Sequence, residues 1–143
     1  MTLIVTGASG FVGRRLCTEL AVNNYQGVAV SRSPIDKMPS GWRWRDRSVL
    51  LDSASDAESA VKNCSGVIHL EVKQHVSSPT PQECEEFERV NVEGTREWLR
   101  WCTNRGVKQF IYFSTIKAVG NSHHCQDESA ISLPSTPYGQ SKR

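Results

Sequence analysis

The 143 residues of this chain are enough for a substantial hydrophobic core, and we expect residues 1–143 to form one domain. Seventeen Lys and Arg residues against fifteen Asp and Glu residues leave a net charge of +2, which excludes a strong general attraction to nucleic acid or to membrane surfaces. No apolar run approaches the roughly 20 residues that span a bilayer, and no charged leader precedes the first predicted strand, so we expect a cytoplasmic protein.

The first predicted element is a strand that runs directly into a glycine-rich turn and a helix. Thr2–Thr6 is a short apolar run, and the helix reaches about Asn23. Gly7 permits the tight turn, Gly10 lets the backbone approach a pyrophosphate, and Gly13 lets the helix pack closely on the strand. The unpaired N–H groups of the first helical turn would face the phosphates. A turn that serves packing alone stays open as an alternative, because a lone glycine pattern is weak.

The second predicted strand covers residues 27–31 and ends where Arg32 stands. In a dinucleotide-binding fold, the residue about 20 positions beyond the glycines meets the adenosine ribose. An arginine there accommodates a 2′-phosphate, whereas an acidic residue binds the 2′-hydroxyl. Arg32 therefore favours NADP, and the nearby Asp36 keeps NAD as an alternative. A solvated loop arginine is the other interpretation of Arg32.

Residues 33–47 interleave tryptophan with arginine, most densely at Trp42 to Arg45. Aromatic and basic side chains in alternation can stack on bases and hold phosphates. The pattern fits better an amphipathic loop or an edge strand whose tryptophans face the core, so no nucleic-acid partner is expected. One of the arginines could still contact a cofactor phosphate.

Two further strands are predicted before the middle of the chain. Residues 49–51 form the third, with Asp52 at its end, and residues 66–70 form the fourth. Between them, Ser55 and Glu58 have the spacing of a capping box for a helix of about two turns. The repeated alternation of strand and helix predicts a parallel sheet that is covered on both faces.

A long helix and a fifth strand follow. Thr80 and Glu83 form a second capping box, with Pro81 at the first helical position, and Gly106 is placed to stop the helix. Residues 109–114 then read as the fifth strand. The expected fold class is therefore α/β, a doubly wound parallel sheet of about five strands.

The cysteines and the adjacent histidines predict no disulfide and no metal site. His123, His124 and Cys125 lack the further spaced ligands that a metal needs. The cysteines are odd in number and contain no C-x-x-C pair, so we expect reduced thiols that mostly pack in the core. They are Cys17, Cys64, Cys84, Cys102 and Cys125.

The end of the chain carries residues suited to proton transfer. Tyr138 and Lys142 are four apart in a helix that Pro137 begins, which places them on one face. A nearby ammonium favours the phenolate of a tyrosine, which can then take a proton from a substrate hydroxyl. Thr115 follows the fifth strand at the sheet edge where ligands bind, and it can orient the same hydroxyl. An exposed Tyr-Lys pair and a locally bonded threonine are the alternatives.

Five segments together resemble the extended short-chain dehydrogenase/reductases, specifically the NAD(P)-dependent epimerase/dehydratase branch. Each segment alone is weakly specific, but they occur in the family's order and at its usual spacing. The segments are TGASGFVG at 6–13, VIHL at 67–70, NVEGT at 91–95, FSTIK at 113–117 and YGQSK at 138–142. The resemblance implies a Rossmann-type cofactor domain with the strand order 3-2-1-4-5.

The resemblance also implies roles for individual residues. Thr115, Tyr138 and Lys142 would be catalytic, and Asn91 would be a structural and solvent-ordering residue. A cofactor, with NADP favoured and NAD as the alternative, would contact a larger set. That set is Gly7, Ser9, Gly10, Phe11, Val12, Gly13, Arg32, Asp52 near the adenine, Leu70, Tyr138 and Lys142.

Substrates of this branch are nucleoside-diphosphate sugars, and full-length members often form homodimers. Members are about twice as long, so we expect an incomplete N-terminal part that lacks the substrate domain and does not turn over substrate alone. Glu71 and Val72 replace two residues that are usually small, which predicts a carboxylate close to the cofactor diphosphate. A non-catalytic NADP-binding module and an inactive fragment that dimerises through the fifth strand remain alternatives.

Overall fold

Parallel strands form a single sheet in the part of the chain that the computed structural model describes, which is residues 2–52, 63–122, 124–131 and 133–143. Within those residues the sheet has five strands in the order β3-β2-β1-β4-β5, which confirms the predicted fold class and strand order. All four pairings are parallel. The strands are β1 (Thr2–Thr6), β2 (Gln26–Ser31), β3 (Trp42–Asp46), β4 (Cys64–His69) and β5 (Gln109–Tyr112).

The described helices begin and end largely where capping residues and glycines predict. Thr80 and Glu83 form the predicted reciprocal capping box at the start of α3. Gly106 has a φ of +65° just beyond α4, as a glycine stop requires. The helices are α1 (Phe11–Val22), α2 (Arg47–Leu51), α3 (Pro81–Phe87), α4 (Gly94–Asn104) and α5 (Pro137–Ser141), with a π-helical turn at Glu88–Glu93 and a 3₁₀ turn at Ile116–Ala118.

The chain divides into two compact units. The sheet unit consists of Met1–Glu71 and Glu97–Phe113, and the second unit consists of Val72–Arg96 and Ser114–Arg143. The sheet unit contains two apolar clusters, which take alternate residues of the same strands. Ile4 and Val28 belong to one cluster, and Leu3 and Ala29 belong to the other. Alternate residues of a strand point to opposite faces, so the sheet is covered on both, as predicted.

The tryptophan-arginine segment forms an edge strand, which confirms the preferred interpretation of residues 33–47. Trp42 is only 7% exposed and packs in the apolar cluster that contains Leu3. Its indole Nε1 donates to the backbone oxygen of Tyr25 at 2.9 Å. The Trp44 indole donates to the hydroxyl of Ser31 at 3.0 Å. Both rings therefore serve the packing of the sheet edge.

The prediction of a third strand at residues 49–51 is wrong. These residues belong to α2, because the Asp46 carboxylate caps a helix that starts at Arg47. Leu50 is fully buried and packs in the cluster that contains Ile4, and this burial anchors the short helix to the core. The third strand is instead Trp42–Asp46. The predicted capping box at Ser55 and Glu58 lies outside the described residues.

Smaller differences concern the ends of two strands. β4 starts at Cys64 rather than residue 66 and ends at His69, so Leu70 follows the strand instead of closing it. β5 ends at Tyr112, two residues earlier than predicted. Among the described helices, none combines the length and the apolar character that crossing a bilayer requires.

Candidate cofactor and catalytic residues

The glycine turn after β1 has the geometry that its spacing predicts. Gly7 has a φ of +64°, and a Cβ there would lie 2.8 Å from the backbone oxygen of Leu70 and from the backbone nitrogen of Glu71. A Cβ on Gly13 would lie 2.5 Å from the backbone oxygen of Gly7. At Gly10 the nearest atom would be 3.2 Å away, so this position is the least confined of the three. Only glycine fits the turn at Gly7 and Gly13.

The first turn of α1 presents backbone N–H groups without a side-chain cap. Gly10 is the N-cap residue, and no side chain bonds the N–H groups there. Phe11 and Val12 are 93% and 53% exposed. Arg14 donates through Nε to the backbone oxygen of Ser9 at 2.9 Å, which ties the turn to the helix. Uncapped N–H groups at the positive end of a helix dipole are suited to binding an anion.

A buried threonine joins the end of β1 to the end of β4. The Thr6 hydroxyl lies 2.8 Å from Nδ1 of His69 and accepts the backbone N–H groups of Leu70 and Glu71, both at 3.2 Å. Thr6 and His69 are both fully buried. The hydroxyl thus holds Leu70 and Glu71 against the glycine turn. Thr6 was not predicted to have a role of its own, although a polar residue at the end of an apolar strand could have indicated one.

Arg32 occupies its predicted place directly after β2 and is exposed. The residue before it, Ser31, donates to the backbone oxygen of Ser33 at 2.6 Å, which fixes the turn that follows the strand. Ser31 is opposite Asp46 in the register of β2 and β3. Arg32 and Asp46 therefore stand at neighbouring strand ends on the carboxyl edge of the sheet, where doubly wound folds bind ligands.

Asp46, and not Asp52, ends the third strand. Asp52 follows α2, and its backbone N–H donates to the backbone oxygen of Ser48 at 3.0 Å. The Asp46 carboxylate accepts the Ser48 hydroxyl at 2.5 Å and the Ser48 backbone N–H at 2.8 Å. The Ser48 hydroxyl is the largest cause that lowers the pKa of Asp46. Asp46 thus has the strand-end position that the sequence analysis gave to Asp52.

The carboxylate of Glu71 is paired. Arg47 Nε lies 3.0 Å from each oxygen of Glu71, and the Trp98 indole donates to Oε2 of Glu71 at 3.2 Å. The other end of the guanidinium, Nη2 of Arg47, donates to Oε2 of Glu97 at 2.6 Å. Burial is the largest influence on the pKa of Arg47, but the two carboxylates outweigh it and raise that pKa.

Tyr138 of the second unit packs against two rings. Its ring centroid lies 5.6 Å from that of His75 and 5.8 Å from that of Phe87, both edge-on. Thr136 caps the helix of Tyr138 by accepting the backbone N–H of Gly139 at 3.0 Å, as its position before Pro137 predicts. The side chain of Tyr138 is therefore held by packing on its ring.

The remaining two residues of the predicted catalytic set also lie in the second unit. Lys142 is 3% exposed, and burial lowers its pKa to about 8. Its backbone oxygen accepts the Ser114 hydroxyl at 3.0 Å. Thr115 Oγ1 accepts the backbone N–H of Lys117 at 3.3 Å, which is the local role considered as an alternative; the Thr115 hydroxyl can still donate its own proton.

Asn91 lies in the π-helical turn and holds two segments of the second unit. Its Oδ1 accepts the backbone N–H of Lys73 at 2.8 Å, and its Nδ2 donates to the backbone oxygen of Lys73 at 3.2 Å. Nδ2 also donates to the Ser141 hydroxyl at 2.9 Å. Asn91 is 1% exposed, so every one of these groups is bonded away from water. The π-helical turn thus carries a buried amide that bonds to Lys73 and Ser141.

No group of three or more candidate metal ligands occurs among the residues that the structure describes. His124 and Cys125 are exposed, and His123 lies outside the described residues. Cys17 and Cys102 are buried in the apolar clusters, as predicted for packing residues. Burial raises their pKa values to about 11 and about 12, which keeps both thiols protonated.

The comparison with known proteins agrees with these features. The model of the NAD dependent epimerase/dehydratase family matches residues 3–143. This chain belongs to that family. The resemblance of its five motifs is thereby confirmed over nearly the whole chain.

Two curated relatives match 80% or more of this chain. The UDP-glucose 4-epimerase of Vibrio cholerae is 28% identical over 154 residues, which is 99% of this chain and 44% of the relative. Cinnamoyl-CoA reductase 1 of Oryza sativa subsp. japonica is 30% identical over 124 residues, 80% of this chain and 34% of the relative. The chain therefore spans less than half the length of these relatives.

A solved structure of the same fold contains both a cofactor and a nucleotide sugar. MoeE5 in complex with UDP-glucose and NAD has a TM-score of 0.83 to this chain at 30% identity. The similarity covers 99% of this chain and 46% of MoeE5. The fold of this chain is thus that of a family whose members bind NAD, and its Rossmann-type classification is confirmed.

Proposed function

We propose that this chain is the cofactor-binding part of an NAD(P)-dependent epimerase, dehydratase or reductase that acts on a nucleoside-diphosphate sugar. The observation that carries the proposal is the glycine turn, where Gly7 has a left-handed backbone and the first turn of α1 lacks a side-chain cap. Membership of the epimerase/dehydratase family supports the same ligand class. The cofactor supplies the hydride exchange when it is bound.

The cofactor would contact the carboxyl edge of the sheet unit. The N–H groups of Phe11, Val12 and Gly13 would bind the diphosphate, since that of Gly10 already donates to the backbone oxygen of Gly7. Leu70 would line the same turn. The exposed Arg32 would hold a 2′-phosphate, so NADP remains our preferred cofactor, with NAD as the alternative. We place Asp46 on the adenosine side because it ends the strand beside β2; Asp52 near the adenine stays a prediction.

In the proposed reaction, Tyr138 takes the proton of a sugar hydroxyl or returns it. Thr115 donates to the same oxygen and orients it. Lys142 favours the phenolate of Tyr138 when it is protonated, and at a pKa of about 8 it carries its charge at neutral pH. Asn91 would support this set from its buried position, where it holds the Lys73 and Ser141 segments.

Two observations favour a nucleotide sugar as the substrate. The Vibrio cholerae relative is a UDP-glucose 4-epimerase, and the MoeE5 structure holds UDP-glucose. The relative from Oryza sativa is a cinnamoyl-CoA reductase, which favours a reductase of another substrate class as the second candidate. Both candidates share the cofactor and the proton-transfer residues, so cofactor binding is the first property to test.

The test is a calorimetric titration of the chain with NADPH and with NADH, together with Gly10→Ala and a matched control, Gly66→Ala. A Cβ at either position would meet its nearest atom at 3.2 Å, but only Gly10 belongs to the turn. We expect saturable binding, tighter for NADPH, and a loss of at least about tenfold in Gly10→Ala alone, because a Cβ displaces the diphosphate from the N–H groups.

Equal affinity for the two cofactors would remove Arg32 from the site while the rest of the proposal stands. Absence of saturable binding to either cofactor would overturn the proposed function of this chain. An equal loss in Gly66→Ala would show that Gly10 acts through folding stability rather than through the phosphate site.

A further inference from the structure

One charged cluster in the sheet unit belongs to neither the predicted cofactor set nor the catalytic set. It consists of Arg47, Glu71, Glu97 and Trp98, and its central guanidinium contacts both carboxylates. The side chains of Arg47 and Glu71 are 24% and 19% exposed, so the pair is shielded from solvent more than most surface ion pairs. Arg47 starts α2 directly after Asp46, at the carboxyl end of β3.

The backbone of Glu71 lies against the turn that we propose as the diphosphate site. Its N–H donates to the Thr6 hydroxyl, and its nitrogen would lie 2.8 Å from a Cβ on Gly7. The side chain of Glu71 thus leaves the backbone beside this turn. A free carboxylate at that place would repel the two charges of a cofactor diphosphate.

We propose that Arg47 is a positioning residue for the dinucleotide, which acts by holding the Glu71 carboxylate against the Trp98 indole. Both oxygens of Glu71 lie at 3.0 Å from Arg47 Nε, and Trp98 donates to one of them, so the carboxylate is fixed in direction as well as paired in charge. This inference rests on the proposed function, because it concerns the affinity of the glycine turn for a diphosphate.

The chemistry of the cluster explains why an arginine is suited to this position. A guanidinium has several N–H groups, so one side chain reaches Glu71 through Nε and Glu97 through Nη2. Without Arg47, two carboxylates would lose their shared counter-ion, and among the described residues the Trp98 indole would be the side-chain donor left to Glu71. The released carboxylate would then be free to turn toward the diphosphate.

The test measures the affinity for NAD and NADPH by calorimetry in four variants. They are Arg47→Met, Arg47→Met with Glu71→Gln, Glu71→Gln alone, and Arg100→Met as the control. Arg100 is an exposed residue of α4 and lies outside the ion-pair cluster. Circular dichroism of each variant reports whether the fold is kept.

We expect Arg47→Met to lose about tenfold or more in affinity, the order of magnitude for an unpaired charge near a partly exposed site. Removing the charge of Glu71 in the same chain should restore most of that affinity, and Arg100→Met should change little. The loss should shrink as the salt concentration rises, since it is electrostatic, whereas a packing defect would not respond to salt.

Unchanged affinity in Arg47→Met, or no rescue by Glu71→Gln, would overturn the inference while wild-type binding leaves the proposed function intact. Should Arg47→Met fail to fold, Arg47→Gln takes its place, alone and with Glu71→Gln: a loss of affinity that Glu71→Gln rescues supports the role of Arg47, and unchanged affinity or no rescue contradicts it. No binding by the wild-type chain overturns the proposed function and this inference together.

Discussion

At the scale of single residues, buried polar side chains in each unit are bonded to backbone groups that the regular elements leave unpaired. Thr6 accepts two N–H groups that follow β4, and Asn91 bonds both backbone groups of Lys73. A buried polar group without partners is costly, so each of these side chains stabilises one local arrangement. Both residues lie in the motif segments named above, and their hydrogen bonds explain why these two positions are polar although they are buried.

The buried Lys142 should make the free energy of unfolding depend on pH. Burial lowers its pKa from 10.5 to about 8, so the unfolded chain binds more protons than the folded chain between these values. The free energy of unfolding should therefore rise, through the titration of Lys142, as the pH increases from about 8 to about 10.5. We expect Lys142→Met to be most stabilised, relative to the wild type, below pH 8, with the difference narrowing above it.

Urea unfolding of both proteins across that pH range gives the measurement. Lys108→Met, at an exposed position, is the control for the loss of a lysine charge. A difference between Lys142→Met and the wild type that stays constant with pH would show that burial does not penalise this ammonium.

At the scale of elements, the short helix α2 shows how a cap can override an apolar pattern. Residues 49–51 are apolar and resemble a buried strand, but Asp46 accepts the backbone N–H of Ser48 and starts a helical turn. The neighbouring place in the sheet is occupied by Trp42–Asp46, whose tryptophans bond to Tyr25 and Ser31. The place beside β2 is therefore taken by Trp42–Asp46, and residues 49–51 remain helical.

Removal of this cap should destabilise the sheet unit. We expect Asp46→Ala to lower the free energy of unfolding by about 1 kcal/mol, since Ser48 loses the acceptor of its N–H. Asp127→Ala is a matched control, because Asp127 accepts the N–H and the hydroxyl of Ser129 in the same way without starting a helix. Thermal or urea unfolding measures both, and an equal effect would contradict a capping role for Asp46.

At the scale of the whole molecule, protection from solvent is graded across the sheet. Ile4, Val5 and Val28 in the inner strands are fully buried, whereas Ile111 in the edge strand β5 is 50% exposed. Residues 124–131, in the second unit, are mostly exposed and contain no helix or strand within that described range. Local opening costs least where few buried contacts must break.

Amide hydrogen exchange should follow this gradient. We expect the slowest exchange in β1 and in the adjacent strands β2 and β4, intermediate rates in β3 and β5, and the fastest rates in residues 124–131. Exchange followed by mass spectrometry or NMR tests the order. Rates in β5 as slow as those in β1 would indicate that the edge strand has a partner, as the predicted dimer would provide.

The chain is much shorter than its relatives. The chain covers less than half the length of the two relatives compared above, so the substrate, the partner and the turnover of a whole protein remain proposals. The possible homodimer and the expectation that this chain is inactive alone stay predictions. Cofactor binding is the property that can be measured on this chain alone.

Local chemistry explains why so much of the fold was predictable. The glycine spacing, the capping box at Thr80 and the stop at Gly106 depend on backbone geometry within a few residues, so the sequence alone determined them. The alternation of strand and helix likewise predicted the parallel sheet, and the family resemblance predicted its strand order. The family followed from five motifs in sequence order, because those motifs are contiguous in the chain.

Tertiary contacts, in contrast, select the segment that forms the third strand, and hence make Asp46 its last residue. They also pair Glu71 with Arg47, 24 positions away, and bring the Trp98 indole to the same carboxylate. These outcomes depend on side chains from distant segments that compete for one edge and for one counter-ion. Spacing along a sequence carries no information about such contacts, because they exist only once the sheet has brought the strand ends together.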